Sequence, residues 1–532
     1  MITISSVIGV TVFYGDGEAL EVAGPSGALL AFAIVGATAI CVMEGISEMI
    51  QMFPTPNAIM EFVRVFVDED LAWVVGVAYW YAYAAIFTTQ IVAAASFTEY
   101  WGLAQVYQTV FFYFVAPFSI LFINFAGVFY YGWIETVGGT LKICMVIGGG
   151  ILMYVIHGKS TVGSEHINEG FRNNPDFASN PRIAGCYVLP IIAYGFLGVE
   201  QVSVTAFEAR DLRSLRFASR TVAYFIISIY LFCAIGEILN VDWKDPALPQ
   251  IYGGTNRASV KMDGSVHKSS AVIVIAAVKA GYSRSAGLLN GCMIFSALSA
   301  SNTGLYIASR SLYGMTRKVN PWRWFRFLRF LGSIWPKTGV PMWAVFFSFI
   351  AFYWLPFLQL HGGVAIADLI EIMSISAAVS CLLVWASLCL AFIRYWAWLG
   401  KHKEYIARVY PEHDRNAQSS QASTFLGGLQ PALAILGLIA SLTIVLVFTT
   451  ATWWSTPPTF RKVAVAYGAP VVLTAFFIVL KAFTRRGYVK LDNDVATLQR
   501  AIEYLKQPKR EQQTRERQKR SNIELLGSSG HN

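Results

Sequence analysis

Six ionisable residues stand inside long apolar runs of this chain: Glu44, Glu48, Lys142, Glu200, Asp368 and Glu371. At bilayer depth each costs at least about 2.5–3.5 kcal/mol on insertion scales, so each needs a partner or a task. Glu44, Asp368 and Glu371 fall near run ends, where a charge can snorkel or lock packing. Lys142 and Glu200 differ, because apolar and glycine residues flank them well inside their runs. Burial penalises an ammonium, so a lysine placed this way can exchange protons near neutral pH. The seven histidines (157, 166, 267, 361, 402, 413 and 531) all lie in loops or tails. A buried histidine base or metal ligand is therefore hard to build. No Ser-His-Asp or HExxH arrangement, no GxxxxGK[ST] loop and no CxxC pair occurs, so enzyme chemistry, a zinc site and nucleotide-driven pumping have no visible machinery.

The elements that must position Lys142 and Glu200 are membrane helices. Hydrophobic residues make up 55% of the 532, charged residues only 14%, and mean hydropathy is +0.51. A soluble domain carries about 25% charged residues. Apolar stretches of spanning length fall near 1–20, 27–50, 73–98, 109–129, 135–156, 184–205, 221–239, 286–309, 340–358, 364–393, 429–449 and 463–480. The expected architecture is an all-α integral membrane protein of twelve spans. All seven cysteines lie within these spans as small hydrophobes, and no secretory signal precedes them.

Net charge is +9, and its placement gives it a meaning. Residues 310–337 carry Arg310, Arg317, Lys318, Arg323, Arg326, Arg329 and Lys337 with no acid. Residues 208–220 add Arg210, Arg213, Arg216 and Arg220, the 394–415 connection adds five basic residues, and the tail from 481 holds twelve against six acidic. With twelve spans these segments share one side, which the positive-inside rule makes cytoplasmic. Both termini then lie there, and residues 481–532 read as a solvated basic tail whose partners are left open. Asp16, Glu18 and Glu21 fall in the first connection on the other side. The charge is thus a topology signal and not a nucleic-acid surface.

Span 1 reads Ser5-Ser6-Val7-Ile8-Gly9-Val10-Thr11-Val12-Phe13, and span 6 reads Tyr194-Gly195-Phe196-Leu197-Gly198-Val199-Glu200. Either segment alone suits ordinary glycine packing between helices. Together they occupy corresponding places in two five-span units, the pattern of a repeat with broken helices and a midplane site. A half-helix starting near Val10–Val12 presents free N–H groups and a positive dipole end, which suit a carboxylate. Carbonyls freed near Val7, Tyr194 and Leu197 suit an ammonium. A zwitterion fits both.

These residues resemble the fungal amino acid permeases of the amino acid–polyamine–organocation superfamily. Ile8-Gly9-Val10-Thr11-Val12-Phe13 is similar to the family's I-G-T-G-L-F, and Ala23-Gly24-Pro25-Ser26-Gly27 to its A-G-P-x-G turn. Ser47-Glu48-Met49, Arg64-Val65-Phe66-Val67-Asp68, Phe196-Leu197-Gly198-Val199-Glu200 and Glu208-Ala209-Arg210 follow in order. Ser299-Ala300-Ser301-Asn302-Thr303-Gly304-Leu305-Tyr306 and Ser309-Arg310-Ser311-Leu312-Tyr313 resemble the span 8 signature. The resemblance implies a LeuT-like fold: a five-plus-five inverted repeat (about 1–156 and 184–393) with two extra helices (about 429–480). It also implies amino acid import across the plasma membrane by alternating access, with no cofactor and a proton as coupling ion. It would place the α-carboxylate at Gly9, Val10 and Thr11, and the amino group at carbonyls near Val7, Tyr194 and Leu197, with the substrate bridging Gly9 and Gly198. Tyr194 or Phe196 would be the gate, Lys142 and Glu200 the proton-responsive pair.

The chain departs from the family pattern at Val10 and Thr11, where only backbone N–H contacts survive easily, and at Thr88-Thr89-Gln90, where relatives commonly have Pro-x-Glu. Two other readings follow: a non-transporting amino-acid sensor on this fold, or an inactive relative. The first span opens at Met1 without a lead-in, which reads as a truncated gene model or an unusual start.

Overall fold

The computed structural model describes the chain apart from residues 1–4, 6, 10, 160–168, 176–177, 206–211, 250–259, 263–264, 268, 270, 318–327, 337, 362–365, 414–423, 455–459, 490–494 and 508–532. Val10, the Glu208-Ala209-Arg210 run, Arg323 and Arg326 and the end of the tail therefore lie outside the described residues.

Long apolar helices dominate, as their composition requires, because in a bilayer the backbone must satisfy its own hydrogen bonds. α1 (Thr11–Met52) is followed by the short α2 (Ala58–Phe66), α3 (Glu69–Phe97), α4 (Gln105–Ala126), α5 (Val128–Lys159) and α6 (Pro181–Gly195). Then come α7 (Leu212–Ile238), α8 (Ser283–Arg317), α9 (Met342–Tyr353), α10 (Ile366–Lys401), α11 (Ala432–Leu446) and α12 (Phe460–Thr484). Among the described residues nine helices are long and apolar enough to cross a membrane. Twelve spans are traced when α1 is read as two legs, α8 is counted despite its polar residues, and the shorter α9 is added. The protein is an integral membrane protein.

Spans 1 and 2 meet at Gly24, whose non-helical backbone (φ 67°, ψ 180°) before Pro25 divides Thr11–Met52 into two helical legs. Two expectations need correction. Asp16, Glu18 and Glu21 sit within a helix and are buried, at 5%, 6% and 8% exposure. Within this all-α architecture, β1 (Val260–Met262) pairs antiparallel with β2 (Ser265–His267) in the long connection before α8. The first part of the tail is docked rather than solvated. Lys481 bonds Asp68 at 2.5 Å, Thr484 bonds Asp70 at 2.8 Å, and Tyr504 donates to Glu61 at 2.9 Å. Leu498, Ile502 and Leu505 are buried in the same packing.

Local signals explain where helices begin. Asp68 caps α3 by accepting from the Asp70 and Leu71 amides, and Asn180 caps α6 ahead of Pro181 by accepting from Ile183, as short polar side chains do at helix starts. Small residues set the closest packing. A Cβ on Gly304 of α8 would lie 2.9 Å from the Phe87 amide of α3, and Ser301 donates to the Phe87 carbonyl at 2.7 Å. This α3–α8 pair is the frame against which both interrupted helices rest.

Candidate functional site

Both interruptions are present. In span 1, Ser5 and Val7 are helical, Ile8 and Gly9 are not, and α1 begins at Thr11. In span 6, α6 ends at Gly195, an irregular turn covers residues 196–198, and tight turns resume at Val199–Gln201 and Val202–Thr205. Gly198 sits at φ 113°, in the region only glycine enters without strain.

The carbonyls uncovered in span 1 do not stand open, as an interrupted helix with free acceptors would have them. Three neighbouring helices fill them. Lys142 of α5 donates to the Ser5 carbonyl at 2.8 Å, and Ser296 of α8 to that of Ile8 at 3.2 Å. The Tyr230 hydroxyl of α7 lies 3.0 Å from the Val7 carbonyl and 2.9 Å from that of Gly195. A phenol has one proton, so Tyr230 serves the two interrupted spans with a single hydrogen. The Tyr194 carbonyl is also engaged, accepting from the Leu197 amide at 3.3 Å.

Lys142 is not isolated. Glu135 lies seven residues earlier, two turns along the same face of α5, and its carboxylate is 3.9 Å from the ammonium. Ser5 donates to Glu135 at 2.5 Å, with Ser299 at 3.3 Å. Both charged side chains are fully buried. The sequence places Glu135 at the first residue of span 5, but α5 begins at Val128 and carries it into the membrane.

Glu200 is ringed by donors. One oxygen accepts from Tyr83 at 2.5 Å and contacts the Cys381 sulfur at 3.8 Å. The other accepts from Trp385 at 3.1 Å and from the Gly198 amide at 3.2 Å. Three N–H or O–H donors converge on this buried carboxylate, and through them it pins the unwound turn to α3 and α10.

Gly9 faces Gln90 and Ala300, whose atoms would lie 3.4 Å from a Cβ placed there. The Tyr194 hydroxyl lies against Thr89 and Gln90, so Gly9, Gln90 and Tyr194 form one polar corner. Phe196 turns away, fully buried, its ring 5.1 Å from Tyr230 and 6.5 Å from Phe32. Leu197 is buried, and the side chain of Thr11 is outside the described atoms. A cavity of about 780 Å³ lined by Leu30, Ile34, Arg182, Leu189 and Phe448 touches neither interruption. Gln90, Tyr230, Ser296, Ser299 and Glu135 are absent from the sequence-derived site. Their types are ordinary, and only tertiary contact gives them a role.

The arrangement can be set beside known proteins. Residues 1–493 match the family model described as amino acid permease. The lysine/arginine permease of Candida albicans is 27% identical over 410 residues, covering 74% of this chain and 66% of that protein. The proline-specific permease of Saccharomyces cerevisiae is 27% identical over 74% of this chain and 62% of its own length. The match thus spans slightly less than two thirds of both relatives. A probable amino-acid permease of Schizosaccharomyces pombe is 25% identical and is covered to 80%. Among solved structures, a manganese transporter of Eremococcus coleocola superposes with a TM-score of 0.56 at 10% identity, over 95% of this chain and 94% of that one. That likeness concerns the fold alone. With the family model matching nearly the whole chain, this protein belongs to the amino acid permease family.

Proposed function

We propose that this protein imports amino acids across the plasma membrane by alternating access, driven by protons, with both termini in the cytoplasm. The observation that carries the reading is the pair of interrupted spans meeting at Tyr230, one hydroxyl contacting both. The substrate α-carboxylate is taken by the N–H groups of Gly9, Val10 and Thr11, where the dipole of α1 is positive. The amino group lies toward Val7, Tyr194 and Leu197. Since the Val7 and Tyr194 carbonyls already accept hydrogen bonds, the ammonium uses their second lone pairs or displaces a donor. Tyr194, facing Gln90, is the gating aromatic; Phe196 packs behind it.

Lys142 and Glu200 are the proton-responsive groups. Lys142, between the Ser5 carbonyl and Glu135, links the charge state of α5 to the start of span 1. Glu200 holds the Gly198 turn and transmits any change there to α3 and α10. Basic residues on the Arg310–Lys337, Arg213–Arg220 and tail side support a cytoplasmic face there.

Uptake by purified protein in proteoliposomes tests this. Labelled amino acid should accumulate under an inward proton gradient, and a competition panel of the twenty amino acids should identify the substrate. Absence of accumulation for every amino acid would overturn transport, and accumulation indifferent to collapse of the gradient would overturn proton coupling.

A further inference from the structure

The outer leg of α1, residues 11–23, lies along α7. On α7 the residues Tyr230, Cys233 and Glu237 recur at spacings of three and four and form one stripe. Tyr230 contacts the span 1 interruption at one end of the stripe. At the other end the Glu237 carboxyl stands beside that of Asp16. Asp16 is 5% exposed and Glu237 1%. None of their four oxygens has a hydrogen-bond partner among the described residues.

Two ionised carboxylates side by side in a dry interior repel each other, so the pair calls for a positive charge between them. A metal ion would ask for a larger set of ligands, and the described residues hold no group of three or more His, Cys, Asp or Glu suited to one. A cationic substrate side chain is out of reach. Asp16 lies seven residues beyond Gly9, roughly 10 Å along a helix, which exceeds the length of a lysine side chain anchored at the interruption. A proton needs only the pair itself.

We propose that Asp16 and Glu237 form a proton-binding site, one proton shared by the two carboxyls, that latches the outer leg of α1 to α7. With the proton in place the leg is held; without it two like charges face each other in a dry interior and the leg is released. The inference extends the proton-driven reading above by adding a site away from Lys142.

The other titratable groups around the latch are few. α7 itself contributes Tyr230 and Cys233, and α1 contributes Glu18 and Glu21 farther along. α5 brings Tyr154, which donates to the Phe232 carbonyl, and α6 brings Cys186 and Tyr187. The short helix Val272–Lys279 brings Lys279, paired with Asp245. None of them donates to either carboxyl.

Hydrogen–deuterium exchange of the purified full chain in nanodiscs between pH 5 and 9, corrected for intrinsic exchange, reads the latch without transport. Protection of peptides covering residues 15–23 and 230–240 should fall at least tenfold as pH rises in the natural protein. In Asp16→Asn the amide donates to Glu237 without a proton, so protection should no longer respond to pH. Glu237→Gln carries the same expectation from the other side should the first variant fail to fold. A flat profile in the natural protein, or variants that follow its pH course, overturns the proposal. A response to replacing sodium by choline at fixed pH overturns it in favour of a metal cation. Proteoliposome uptake measured in parallel separates the two readings: uptake with a flat exchange profile removes only the latch, and a responsive profile without uptake removes only transport.

Discussion

At the span 6 interruption the acid that holds the unwound turn belongs to the turn itself: Glu200 accepts from the Gly198 amide two residues away and from Tyr83 and Trp385. At the span 1 interruption no local side chain among the described residues does this. Its carbonyls are held one by one, by Lys142, Tyr230 and Ser296, from α5, α7 and α8. The first arrangement stands or falls as a unit, since one carboxylate serves several donors. The second can be loosened one contact at a time, and one of its contacts is a charge. The difference makes the span 6 turn the stiffer of the two interruptions and the start of span 1 the looser.

The strongest attempt to break this contrast is Glu200→Ala. It leaves three buried donors without an acceptor, at about 1–3 kcal/mol each, so the folded yield in membranes and the melting temperature should both collapse. A variant that melts normally and loses only the pH dependence of uptake would show that Glu200 acts in proton coupling without holding the turn. Lys142→Ala comes next. Removing one partner of a buried ion pair costs about 3–5 kcal/mol, and Glu135→Gln added to it should restore much of the melting temperature without restoring pH-dependent uptake. Recovery of the pH dependence in that double variant would take the proton away from Lys142. Tyr230→Phe keeps the ring against Phe196 and Phe32 but deletes the shared hydroxyl. A loss of about 1 kcal/mol is expected, together with a change in the ratio of inward to outward accessibility, measured by cysteine labelling. Ser296→Ala is the mildest, at under about 1 kcal/mol. Uptake should retain its pH profile with a small shift in KM; complete loss of uptake would mean that span 1 is not held piecemeal.

What could be seen in the chain beforehand divides along physical lines. Spans were legible because twenty apolar residues in a row have few other uses, and the interruptions because glycine and β-branched residues cluster at the middle of spans 1 and 6. Lys142 and Glu200 stood out because charge is scarce. Their partners did not. Glu135 stands on a span boundary where hydropathy does not single it out, and the role of Tyr230 comes from two carbonyls 35 and 223 residues away in sequence. Asp16 reads as a connection acid near the Gly24-Pro25 turn, whereas the first helical leg carries it and continues to that turn. Hydropathy reports where a helix is, not which of its faces meets which neighbour.

The bend has a mechanical meaning of its own. A connection of several residues gives two helices slack, so that one can tilt while the other stays. Gly24 gives none. Its φ of 67° and the backbone of Arg172 about 3.2 Å from where a Cβ would sit leave room for glycine alone. The outer leg and span 2 therefore behave as the two arms of a crank joined at a stiff elbow. Span 2 carries Glu44, which accepts from Tyr224 of α7 and from the Leu426 amide. Any swing of the outer leg must then either flex the Gly24 joint or be passed to the span 2 helix that Glu44 ties to α7.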